Sequence, residues 1–178
     1  LLTGSNLQDL VAKLGPLEPT RALRIALQIS RALGEAHSVG IFHRDVKPEN
    51  VIVTESTEEP DFAKVVDFGI AKMRIEQGDP QLTRTGAVLG TPAYISPEAI
   101  RGASVDARSD VYGIGGVLYF MLTGHAPFSD VDPSALLMAH LHHQAPRLTG
   151  EAMSFVEPEL EQLVQRCLSY SSSGSTKD

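Results

Sequence analysis

From Asp110 to Gly124 the chain reads Asp-Val-Tyr-Gly-Ile-Gly-Gly-Val-Leu-Tyr-Phe-Met-Leu-Thr-Gly, apolar almost throughout. A helix that is apolar on every side has no face for water, so it is expected as the buried central helix of a domain. Arg108-Ser109-Asp110 supplies a start and Gly124 a stop. The run is shorter than the about 20 residues a membrane span requires, so a spanning helix is rejected. Gly113-Ile114-Gly115 could suggest a nucleotide fingerprint, but Leu118 takes the third glycine's place and no strand precedes it. With 178 residues the chain is long enough for one domain with a real core.

Around that helix the pattern is mostly helical. From Pro19 or Thr20 to about His37, Leu23, Ile25, Leu27, Ile29, Ala32, Leu33 and Ala36 recur at helical spacing, and Gly40 ends the segment. Weaker helices are expected at Pro97 to about Arg101, Pro133 to His143 and Glu157 to Leu168. Val51-Ile52-Val53 and Lys64-Val65-Val66 read as the two strands of a hairpin. The fold class is therefore mainly α with a small β-hairpin. His140, His142 and His143, with His125 further off, could suggest a metal site. No cysteine or close carboxylate completes a ligand set, so they are read as solvated helix-end histidines.

Chemistry concentrates in His43-Arg44-Asp45-Val46-Lys47-Pro48-Glu49-Asn50. These residues put a carboxylate, an ammonium and an amide on one loop stiffened by Pro48, which is what phosphoryl transfer to a hydroxyl needs. Before Pro48 the backbone is expected to be extended, and residues two apart then share a side, so Asp45 and Lys47 can face one cleft. Asn50 reaches that cleft from the far end of the loop. A second candidate, Asp67-Phe68-Gly69, follows Val65-Val66. If the two strands pair, Asp67 emerges at the same end as the loop.

The string resembles the catalytic loop of eukaryotic-type protein kinases, H-R-D-x-K-x-x-N, and its lysine resembles the serine/threonine-specific branch. The resemblance extends over residues 1–168, to the large lobe of the two-lobed α+β kinase fold, and is nearest to the bacterial eukaryotic-like kinases. It implies ATP and Mg²⁺ as cofactors and serine or threonine hydroxyls of proteins as acceptors, the chain's own included. Asp45 would take or orient the hydroxyl proton, and Lys47 would stand beside the γ-phosphoryl of ATP. Asn50 and Asp67 would give oxygen ligands to Mg²⁺. Phe68 would be a packing plug under Asp67 and Gly69 a point of backbone freedom. His43 is expected as a packed residue beneath Asp67, and Asp110 would hold the backbone of the catalytic loop.

Residues 67–98 show no regular apolar period and read as a long loop, which in a compact domain is usually functional or disordered. It ends in Gly90-Thr91-Pro92-Ala93-Tyr94-Ile95-Ser96-Pro97-Glu98, similar to the close of a kinase activation segment, with Ser96 where A-P-E has alanine. Phosphorylation of Thr83 or Thr85 would add about −1.5 to −2 of charge, for which Arg44 is the expected partner. By the same likeness the Thr91 hydroxyl would brace Asp45 and Lys47.

Two features of the family are not found in the sequence. There is no glycine-rich loop, no strand lysine and no matching helix glutamate; Val11-Ala12-Lys13 imitates V-A-I-K poorly and lies in a helical stretch. Leu1 is therefore expected near the hinge, with the small lobe outside this chain and no protein phosphorylation by the chain alone. No arginine follows Arg166 to pair with Glu98, and residues 169–178 read as a disordered serine-rich tail, either a truncated, frameshifted or excised end. The alternative to an enzyme is an inert kinase-like binding or regulatory module; a small-molecule phosphotransferase is a distant third. A net charge of −7 with no basic run argues against nucleic acid, and a single cysteine, Cys167, suits a reducing cytoplasmic compartment.

Overall fold

The computed structural model describes residues 4–55, 60–68, 92–129, 132–148 and 156–169, so Gly69, Thr83, Thr85 and Thr91 lie outside the described residues. In chain order the elements are β1 (Ser5–Asn6), α1 (Leu7–Leu14), α2 (Pro19–Ser38), β2 (Val51–Glu55), β3 (Pro60–Val65), α3 (Pro97–Ile100), α4 (Ala107–Thr123), α5 (Pro133–His142) and α6 (Pro158–Ser169). Single 3-10 turns stand at Pro48–Asn50 and Pro92–Tyr94.

The central helix α4 begins where the Asp106 carboxylate accepts from the Arg108 amide. It stops at Gly124, whose φ of 82° is open to glycine without a Cβ penalty. The Arg108 guanidinium on Asp106 holds that carboxyl below its ordinary range. Val117, Leu118, Met121 and Leu122 are all but sealed from water. One side of α4 meets α6 closely enough that a Cβ on Gly115 would come within 2.6 Å of the Cys167 Cβ. Burial pushes the Cys167 thiol up.

Helix α2 starts with Pro19 in its first turn, where a missing N–H costs nothing, and Glu18 accepts from the Arg21 amide. Its inward face is Ala22, Ile25, Ala26, Ile29 and Leu33, whereas Leu23 and Leu27 are exposed. Helical spacing brings Leu23 and Leu27 together on one side of α2, but that side is not the one turned to the core.

The sheet has three antiparallel strands in the order β1-β2-β3, one more than the expected hairpin. Two residues, Ser5 and Asn6, pair with Val53 and Ile52, and Asn6 then caps α1 by accepting from the Asp9 amide. A strand this short has no periodicity to read. Val51 faces Val65 and Val53 faces Ala63, with Val51, Val53 and Ala63 on the core side. The edge of β3 is covered by α2: Gln28 donates to the Asp61 carbonyl and accepts from the Ala63 amide, both at 2.9 Å. Arg21 adds a forked contact to the Asp61 carboxylate at 2.6 to 3.0 Å.

His140 departs from its expected solvated state. It is buried, its Nδ1 lies 2.6 Å from the Tyr112 hydroxyl, and Phe128 packs edge-on against its ring. Position, not composition, decides this, because α5 turns His140 inward and His142 outward. Among the described residues no group of three or more His, Cys, Asp or Glu is placed to hold a metal. No described helix is long and apolar enough to cross a membrane.

Candidate active site

The loop from His43 to Asn50 is fixed from behind by α4. Asp110, fully buried, accepts from the His43 amide on Oδ2 at 2.9 Å and from the Arg44 amide on Oδ1 at 2.7 Å. His37, in the last turn of α2, reaches the same Oδ2 through Nε2 at 2.7 Å. These contacts hold Arg44 at a φ of 65°, a left-handed backbone that a long side chain rarely takes unaided.

Beyond that kink the chain is extended at Lys47, with φ −154° and ψ 163°. Lys47 and Asp45 share one side, with Nζ 2.9 Å from Asp45 Oδ2 and both side chains partly exposed. Pro48 then opens a 3-10 turn that brings Asn50 back: its amide nitrogen accepts nothing and donates to the Asp45 carbonyl at 2.8 Å and to Oδ2 at 3.3 Å. With the nitrogen so used, the oxygen Oδ1 is the atom left to face a cation.

The second segment is registered on the first. The Val66 amide donates to the Asn50 carbonyl at 2.9 Å, which sets Asp67 beside Asn50 along the backbone. Asp67 is exposed and has φ 57°, a conformation aspartate tolerates better than most residues. His43 locks the pair: Nε2 donates to the Val66 carbonyl at 2.9 Å, while Nδ1 accepts from the Asp45 amide at 3.3 Å. A tautomer protonated on Nε2 satisfies both contacts. Phe68 packs on the His43 ring at 4.7 Å, so the buried histidine lies under the segment carrying Asp67.

The donors present suit magnesium. An amide oxygen and a carboxylate are hard ligands, and Mg²⁺ is usually held by one or two protein oxygens with the rest from phosphate and water. Asn50 and Asp67 would hold the ion, which when bound would neutralise phosphate charge. Lys47 adds a cation on the same side as Asp45. The described cavity of about 760 Å³ lined by Leu17, Leu23, Leu122, Val156 and Leu160 shares no residue with this loop.

Downstream, Glu98 is not isolated as the lack of a following arginine suggested: the Ser109 hydroxyl donates to its Oε1. Its charge, after burial, pushes the neighbouring Tyr112 phenol up. Tyr94 is also pushed up, by burial and then by the Glu49 carboxylate. The Ser96 hydroxyl is buried and has no hydrogen-bond partner among the described residues. Ser96→Ala is expected to stabilise the fold by about 1 kcal/mol, because it removes a desolvated, unpaired hydroxyl. A lower melting temperature for the variant would contradict this.

Sequence reasoning missed His37 as a support of the loop and the glycines of α4 as points of close packing, Gly113 on Val46, Gly115 on Cys167 and Gly116 on Tyr94. His37 belongs to no motif, since its partner is 73 residues away. The glycines carried a signal, a cluster within an apolar helix, which means close approach of neighbours.

A polar loop is thus held on a buried helix and registered against a second segment by a short sheet, and the chain belongs to the protein kinase family. A model of the protein kinase domain matches residues 1–174. Serine/threonine-protein kinase pkn3 of Myxococcus xanthus is 42% identical over 170 residues, covering 94% of this chain and 31% of that protein. Serine/threonine-protein kinase PknB of Mycolicibacterium smegmatis is 42% identical over 165 residues, 93% of this chain and 25% of that protein. PknB of Mycobacterium tuberculosis is 44% identical over 138 residues, covering 78% and 21%. The chain thus spans a third or less of the length of these relatives.

Proposed function

We propose that this chain is the large lobe of a bacterial-type protein serine/threonine kinase, working with ATP and Mg²⁺ on hydroxyls of protein substrates. The observation that carries the reading is the Asn50 amide. It ties its nitrogen to Asp45, while the backbone carbonyl of the same residue accepts from the Val66 amide next to Asp67, so the segments carrying the proposed proton acceptor and metal ligands are joined at Asn50. Asp45 would accept the proton of the attacking hydroxyl, and Lys47 would leave its ion pair with Asp45 to face the moving phosphoryl group. Such a unit has no use in an inert binding module, where nothing requires three polar side chains to converge. The names of the relatives support serine and threonine as acceptors.

The test is transfer of label from γ-labelled ATP to a protein substrate by the full-length protein. Phosphoserine or phosphothreonine that disappears when magnesium is chelated is expected. Absence of both, in protein that binds ATP, would favour the inert module.

For regulation, Thr83 and Thr85 are proposed phosphoacceptors, modified by the kinase itself, with Arg44 as their charge partner and Thr91 as a brace on Asp45 and Lys47. Thr83 and Thr85 replaced together by alanine should lower activity severalfold. Unchanged activity would remove the switch from the reading.

A further inference from the structure

We propose that Gly113 is a positioning residue for the catalytic loop: the missing side chain sets how deep Val46 seats on α4, and hence where Asp45 and Lys47 stand. Gly113 lies one turn beyond Asp110, on the same side of the helix. A Cβ built there would fall 2.7 Å from the Val46 Cβ and 2.9 Å from the Val46 carbonyl oxygen. Neither atom can rotate aside, since both belong to or adjoin the backbone, and Val46 is buried. The loop is also held at His43 and Arg44 by Asp110. An added methyl group would therefore tilt residues 45 to 47 about that anchor.

One turn further, a Cβ on Gly116 would lie 3.0 Å from the Tyr94 ring, so the same side of α4 receives the 3-10 turn Pro92–Tyr94. Asp110, Gly113 and Gly116 thus form one seat. Asp110 draws the loop in by charge-assisted hydrogen bonds, and Gly113 fixes the distance by sterics. Gly115 points elsewhere, to Cys167 on α6, with an equally close approach of 2.6 Å. It serves as the internal control.

The inference rests on the kinase reading, and its test is run in the full-length protein with Asp45→Asn alongside. In Gly113→Ala, kcat is expected to fall about 10- to 100-fold, the effect of displacing catalytic groups by about 1 Å, with KM for ATP unchanged. Gly115→Ala should lower the melting temperature and leave the kcat of folded protein near wild type. If Gly113→Ala does not fold, the double variant Gly113→Ala, Val46→Gly, which removes the 2.7 Å contact and leaves only the 2.9 Å approach to the carbonyl of residue 46, is expected to fold with the loop displaced and to turn over slowly. A folded Gly113→Ala with wild-type kcat overturns the inference, as does equal loss of kcat in Gly115→Ala or a double variant that is also unfolded. If Asp45→Asn retains full turnover, the kinase reading itself fails; if it is inactive while Gly113→Ala is normal, only the positioning role fails.

Discussion

Asp45→Asn in the full-length protein is expected to lower kcat by about 10² to 10⁴, the usual contribution of a general base. The substitution keeps the size of the side chain and an oxygen that can still accept from Asn50 Nδ2. What it removes is the negative charge, and with it both the proton acceptor and the partner of Lys47. Lys47 is then no longer held at 2.9 Å from residue 45, but the ammonium remains partly exposed and can be hydrated. For a pair this partly buried the stability cost is about 1 to 2 kcal/mol. The expected signature is thus a large fall in kcat with a small change in KM for ATP and in melting temperature. Rates, nucleotide affinity and thermal unfolding of the same preparation check it together. A kcat within a few-fold of wild type would mean that Asp45 does not act on the proton.

Asp110→Ala is expected to act on the fold instead, destabilising it by about 3 to 5 kcal/mol, as when one member of a buried polar pair is deleted. Two carboxylate oxygens serve three donors here, the amides of His43 and Arg44 and the His37 ring. Asp110 is fully sealed from water, so the His43 and Arg44 amides lose their partner inside the protein, while the partly exposed His37 ring keeps some access to solvent. The left-handed backbone of Arg44 also loses one of the contacts that hold it. Asp110→Asn should cost less, because one oxygen remains while the new amide nitrogen faces a donor. The denaturant midpoint measures the size of the effect. Hydrogen exchange at the His43 and Arg44 amides locates it, and both should exchange faster. An Asp110→Ala midpoint equal to wild type would show that the loop is held by other means.

The two substitutions separate what lies in the chain from what lies in the fold. Asp45, Lys47 and Asn50 are legible in sequence because they are neighbours on a loop whose shape Pro48 restricts; local stereochemistry alone sets two of them on one side. The apolar run of α4 is legible for a related reason, since a helix without a polar face has one destination. Even so, the 3-10 turn that swings Asn50 onto Asp45 was not anticipated, nor was the positive φ of Arg44. Both depend on partners supplied from elsewhere in the chain.

The supports were less legible for the same reason. Ser5 and Asn6 form a strand only because β2 offers a free edge. Leu23 and Leu27 look like core residues until the direction of the buried face of α2 is known. His140 is a buried partner of Tyr112 because α5 packs it there, whereas His142, two residues on, is exposed.

By itself, then, the sequence determined the chemistry of the loop, the central helix and the kinase likeness, all of which rest on residues close in the chain. Only the tertiary structure decided how that loop is held: Asp110 beneath His43 and Arg44, His37 beside it, Gly113 under Val46, and Ser109 on Glu98. Most of these contacts join residues far apart in sequence, and burial is what gives them strength. A spacing pattern along one chain encodes neither.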